Sequence, residues 1–132
     1  MIELEQAIEL FESIAKKYFN VAMGFNVTQQ APSLNYEISF SKEEFKNLND
    51  NDFLKSQAPI FAIFTSLVVY KTYNDVKKTQ IEMFKTLQEL KRELLNLNFF
   101  FVSLDEAIAF DDKGYAIDNP AKQIVFKILV KF

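Results

Sequence analysis

The stretch IFAIFTSLVVYKTY, residues 60–73, is apolar on both of its alternating faces. Ile60, Phe64, Val68 and Tyr70 share one parity; Phe61, Ile63, Leu67, Val69 and Tyr73 share the other. A strand of this kind must be covered on both sides. It therefore predicts a long strand, with a helix of the same chain on one face and a second cover on the other. That second cover is expected to be another subunit.

The rest of the chain supplies partners for such a strand. LNYEISF alternates, with Leu34, Tyr36, Ile38 and Phe40 on one side and Asn35, Glu37 and Ser39 on the other, as an antiparallel strand with one wet face does. FFFVSL at 99–104 and KQIVFKILVKF at 122–132 are further strands, and Ile124, Phe126, Ile128, Val130 and Phe132 share a face of the second. FNVTQ, residues 25–29, is a weaker strand candidate. Two helices complete the set. Residues 3–19 place Leu4, Ala7, Ile8, Phe11, Ile14, Ala15 and Tyr18 on one stripe, with acids early and lysines late. Residues 75–97, capped by Asn74, carry Val76, Met83, Leu87, Leu90, Leu94 and Leu97 on a stripe that Ile81, Phe84 and Leu95 widen. Ser41 and Glu44 have capping-box spacing, so a short helical turn with Phe45 and Leu48 inward is expected, then an exposed loop, NLNDNDF. The element order predicts one α+β domain over 1–132, a mostly antiparallel sheet packed against one long helix and an N-terminal helix.

Composition narrows the chemistry. The chain has 132 residues, enough for a core without staples, and neither cysteine nor histidine. Disulfides, thiolate metal sites and the Ser-His and Cys-His nucleophile pairs are thereby excluded. Net charge is −3 and Arg92 is the single arginine, which disfavours specific reading of nucleic acid. Two glycines and no GxGxxG or Walker pattern leave no phosphate-cradling loop. Lys16-Lys17 and Lys77-Lys78 read as solvated helix faces. The acidic N-terminus lacks the basic region of a signal peptide, and the longest apolar run is too short and interrupted to span a membrane. A cytoplasmic place of assembly is expected.

The one segment that raises the question of a metal or catalytic site is DEAIAFDDKGYAID, 105–118. It crowds Asp105, Glu106, Asp111, Asp112 and Asp118 around Gly114. Counted from Asp111, an EF-hand loop fails at its third, sixth and twelfth positions. Asp-Lys-Gly is turn chemistry, with Gly114 free to take positive φ. A carboxylate pair for acid–base work needs a dry pocket, and these acids flank a turn with a lysine in it. The expected reading is a solvated turn: no catalytic, cofactor or metal residue, and no enzyme. The aromatic content points elsewhere. Fifteen phenylalanines exceed what a core of this size needs, and an obligate interface resembles a core cut in half.

From APIFAIFTSLVVYKTYNDVKKTQIEMFKTLQELKRELL through FFFVSLDEAIAFDDKGYAID to KQIVFKILVKF, the chain resembles phage tail terminator and related neck (head–tail joining) proteins. IELEQAIELFESIAKKYF is similar to the opening helix of that family, and residues 20–57 fit it loosely. The resemblance is one of size, element order and texture, without a fingerprint residue. It implies a virion structural protein, assembled in the bacterial host cytoplasm as a ring of usually about six copies. Such a ring caps the tail tube and meets neck proteins, and its acidic lumen lets DNA pass without specific binding. The expected interface is Phe61, Ile63, Val69, Phe99, Phe100, Phe101 and Leu129, with Asp111, Asp112, Lys113 and Gly114 as a lumen or contact loop. Two other readings stand beside it. One is a small acidic binding module, such as a secretion-chaperone-like dimer. The other is a carboxylate enzyme with a ketosteroid-isomerase-like cone, for which Glu82 is the nearest candidate acid.

Overall fold

The computed structural model describes residues 2–25, 30–41, 59–71 and 74–131. The elements run β1 (Ile2–Glu3), α1 (Leu4–Ala15), β2 (Asn20–Met23), β3 (Ser33–Phe40), β4 (Pro59–Val69), α2 (Val76–Asn96), β5 (Phe100–Ala107) and β6 (Ala121–Lys131). The fold is α+β, a mostly antiparallel sheet against α2 and α1. Strand β4 lies between β3 and β6, antiparallel to both. The far edge of β6 takes β5 antiparallel at Ala121 to Lys127 and β1 parallel at Val130 and Lys131. Strand β2 runs parallel to β3 at the opposite edge.

The periodicities place the core on one face of this sheet. Ile60, Ala62, Phe64 and Val68 of β4 and Ile124, Phe126, Ile128 and Val130 of β6 are buried. They meet Ala7, Phe11 and Ala15 of α1 and Met83, Leu87, Leu90 and Leu94 of α2. Phe11 and Phe64 are 4.7 Å apart between ring centroids, and Tyr36 and Phe99 close the aromatic group. Rings offset or tilted in this way add about 0.5–1.5 kcal/mol per pair beyond their burial.

Local signals moved several element ends. The N-cap of α2 is Asp75 rather than Asn74, because the Asp75 carboxylate accepts from Lys78 N–H at 3.2 Å. Val76 is consequently in the first turn and exposed, and the buried stripe begins at Thr79. Ile81, Phe84 and Leu95 do not widen the core; each is exposed. At the other end Asn98 takes φ 70°, the left-handed conformation that an asparagine tolerates. Phe99 N–H then donates to Leu94 C=O and Asn98 N–H to Leu95 C=O, the paired bonds of a Schellman stop. This stop turns Phe99 inward, and β5 begins at Phe100 and runs past Leu104 to Ala107.

At the N-terminus, α1 ends at Ala15, four residues early, and Lys16 to Tyr18 form a turn. The strand expected at 25–29 is displaced: β2 precedes Gly24, which takes φ 98°. Residues 26–29 of that candidate lie outside the described residues. So do the turn expected around Phe45 and Leu48, the NLNDNDF loop, Tyr73 and Phe132. The strand predicted over 60–73 ends at Val69, where Tyr70 N–H turns to Pro120 C=O.

Two tyrosines tie the helices into the fold and make it sensitive to alkali. Tyr36 hydroxyl donates to Glu12 Oε2 at 2.7 Å, and burial first, then this bond, push its phenol well above the ordinary range. Tyr18 donates to Glu93, chiefly for which reason its phenol is pushed up from 10 to about 12. Lys17, 2.5 Å from the same carboxylate, holds Glu93 below its ordinary value. The raised phenols contribute fully below pH 10. As pH rises further, the unfolded chain deprotonates before the folded one and stability falls. Glu93 acts on the acid side, its contribution being lost as pH falls through its lowered value. Thermal melts should therefore fall above about pH 10, and Tyr36→Phe should make that fall shallower. An unchanged alkaline slope in Tyr36→Phe would mean the phenol is not linked to folding.

Candidate interaction face

The sheet face away from the helices is built by the odd-numbered residues of β3, β4 and β6. Register places them in rows. Ser39, Ile63, Lys127 and Phe100 form one; Phe61 and Leu129 form the next toward the end of β6. Phe100 is 50% exposed and Leu129 36%. Phe61 and Phe100 meet edge to face at 5.9 Å, and Lys127 Nζ stands 4.2 Å over the Phe61 ring. This is an apolar, aromatic surface with a cation above it, and no described helix covers it.

The opposite end of the same face is roofed by the β5–β6 connection, residues 108–120. That segment doubles back as an arm, with a Phe110↔Ala116 bridge and Ile117 N–H donating to Ala109 C=O at 2.9 Å. Its tip is a turn. Asp111 Oδ1 accepts from Lys113 N–H and Tyr115 N–H, both at 2.9 Å, and Gly114 takes φ 85° with open space around its missing side chain. Between arm and sheet lies a groove of about 860 Å³. Leu67, Val69 and Gln123 form its floor, with Phe25, Ile108 and Phe110 around it. Ile108, Phe110 and Tyr115 are each more than half exposed.

No protein-family model matches the chain, and no curated protein or solved structure matches it significantly.

The structure divides the residues singled out from sequence. Phe61, Ile63, Phe100 and Leu129 share the open face, and Val69 lies on it beside the arm. Phe99 does not: it is 2% exposed, packed on Phe64, and belongs to the core for the reason given by the Asn98 stop. Phe101 points to the helix side, against Phe126 and under Lys91. Asp111, Asp112, Lys113 and Gly114 are the arm's tip. Asp111 is engaged with backbone N–H groups, and among the described residues no three acids gather to hold a metal ion. Glu82 lies on the half-exposed flank of α2. Also among the described residues, no helix is long and apolar enough to cross a membrane.

Sequence reasoning missed Phe25, Ile108 and Phe110 around the groove, and the buried Lys122. The signal for Ile108 and Phe110 was present: the two large apolar residues of AIAF stand at alternate positions beside a turn. Lys122 is 6% exposed, pairs with Glu106 and lies 5.7 Å over Phe84. Its stem covers apolar surface while the ammonium keeps a partner, as a buried lysine must. For the turn, Asp111→Ala should cost about 0.5–1.5 kcal/mol through loss of its two accepted bonds, and Asp111→Asn, which keeps an acceptor, much less. Equal losses in denaturant unfolding would show that the carboxylate charge, not the turn, matters there.

Proposed function

We propose that this chain is a structural assembly subunit of the phage tail terminator or neck class, acting by shape and interface burial without catalysis. The observation that carries the reading is the open sheet face, where Phe61, Ile63, Phe100 and Leu129 stand together without a described cover. A surface of that character is retained for a partner. The resemblance in element order supports a ring of usually about six copies at the end of a tail tube, in the virion. The acidic arm is then a lumen or contact loop, and DNA passes without being bound.

A paired acidic binding module is the second reading, favoured by the groove beside the arm. The two separate in one experiment: native mass spectrometry and negative-stain imaging of the protein with and without assembled tail tubes. Rings, or density capping tube ends, are expected. A stable pair that ignores tubes would overturn the terminator reading.

A further inference from the structure

We infer that the groove beneath the arm binds a short extended peptide segment of a partner protein, one that carries lysine or arginine among large apolar residues. The groove lies at the opposite end of β4 and β6 from Phe61 and Leu129, so the inference goes beyond the assembly reading and does not depend on it. Its floor has Ser33 and Val69 in one row and Asn35, Leu67 and Gln123 in the next. Asn35 is engaged, its Nδ2 donating to Gly24 C=O at 2.9 Å. Ser33 is 3% exposed, and its hydroxyl has no hydrogen-bond partner among the described residues. The Gln123 carboxamide has none among them either. Buried polar groups are ordinarily hydrogen-bonded, and leaving one unmet costs free energy. A ligand in the groove supplies the partners that the fold leaves out.

The spacing of these groups selects the class of ligand. Ser33 and Gln123 stand two strands and two residues apart, roughly 12 Å between their backbones. An extended peptide covers that distance in about four residues. A hydroxyl and a carboxamide each donate and accept, as the N–H and C=O of a peptide backbone require. Leu67 and Val69 on the floor, with Ile108 and Phe110 on the arm, meet the large side chains that alternate along such a segment. Charge then sets its sign. Glu106, Asp111 and Asp112 line the groove, and among its described lining residues there is no lysine or arginine. Glu106 is paired with Lys122, and Asp111 accepts from two backbone N–H groups of the turn. Asp112 makes neither a hydrogen bond nor an ion pair among the described residues, which leaves its carboxylate for a cation. An acidic peptide is repelled by the same groups.

Selection from a displayed library of random short peptides on the immobilised full chain tests the groove. Selected sequences are expected to be enriched in lysine or arginine and in large apolar residues. The chain has no tryptophan, so a selected peptide made with one tryptophan reports its own binding by fluorescence. Ser33→Ala should weaken that binding about 2- to 10-fold, the worth of one hydrogen bond. It should leave the melting temperature unchanged or raise it, because the hydroxyl has no partner in the fold to lose. Phe110→Ser, at an exposed position on the arm, should weaken binding about tenfold. Asp112→Lys should weaken it about fivefold, the loss shrinking as salt is added. Ile81→Asp, on α2, should change nothing. A selection that yields no binder, or acidic binders, overturns the inference. So do peptides that bind Ser33→Ala and Phe110→Ser as tightly as wild type, whether or not those variants melt lower. Tryptamine binding as tightly as the peptide would make the groove a small-molecule site and overturn it too. So would self-association of the chain that Phe110→Ser and the peptide each abolish, since the occupant would then be a second copy.

Discussion

Phe64→Ala should lower the stability of the fold by about 3–5 kcal/mol, the largest loss expected from any single truncation of this core. Phe64 is fully buried in the middle of β4. Its ring meets Phe11 of α1, Tyr36 of β3 and Phe99 after α2, at centroid distances of 4.7, 5.8 and 5.6 Å. Three segments of the chain thus converge on one side chain. The vacated volume has little means of closing, because β4 is hydrogen-bonded along both edges and cannot shift toward the helices without breaking register with β3 and β6. The neighbouring inward residue is Ala62, too small to lean in. Chemical denaturation should show the midpoint falling with little change in slope, and Phe64→Leu should lose less than half as much. A loss below about 1 kcal/mol would mean that the aromatic group is not the centre of the core.

The two faces of β4 explain why the fold was legible and the site only partly so. Period-two alternation in β3, β4 and β6 and the Met83–Leu87–Leu90–Leu94 stripe are set by burial against one another, so pattern alone locates them. Strand polarity and order are different. The parallel pairings of β1 with β6 and β2 with β3 are fixed by where the connections run, and nothing in NVAM or IE records it. The FFF run shows the limit most plainly. Three identical residues met three fates: Phe99 buried by the left-handed Asn98, Phe100 on the open face, Phe101 on the helix side. Alternation separates the last two, but the inward turn of the first depends on a Schellman stop that asparagine, not glycine, provides. The acidic loop was readable as a turn from Asp-Lys-Gly. That it folds back over the sheet and makes a groove was not, since the fold-back goes with the burial of Ala109, 2% exposed, and with Ile117 lining the groove beside Leu67 and Val69, which are distant in sequence.

Phe100→Asp should abolish self-assembly while leaving the fold in place. Half of the Phe100 side chain is already in water and it lies on β5, at the edge of the sheet, so the folded monomer loses little, about 0.5–1 kcal/mol. In an assembled state the same position must be dehydrated beside Phe61. An unpaired carboxylate there costs several kcal/mol, which is on the order of a thousandfold in affinity. The asymmetry between those two effects is the mark of an interface residue, and it distinguishes Phe100 from Phe99, where the same substitution should prevent folding outright. Ile81→Asp is the control. Ile81 is exposed to a similar degree, 42%, but on α2, on the other side of the molecule from the open face. It should leave assembly unchanged. If Ile81→Asp dissolved the assembly as thoroughly as Phe100→Asp, the damage would be a general effect of added charge and the open sheet face would lose its claim to be the contact. If Phe100→Asp assembled like wild type with an unchanged melting temperature, the contact would have to lie elsewhere, with the exposed apolar flank of α2 at Ile81 and Phe84 the next surface to charge.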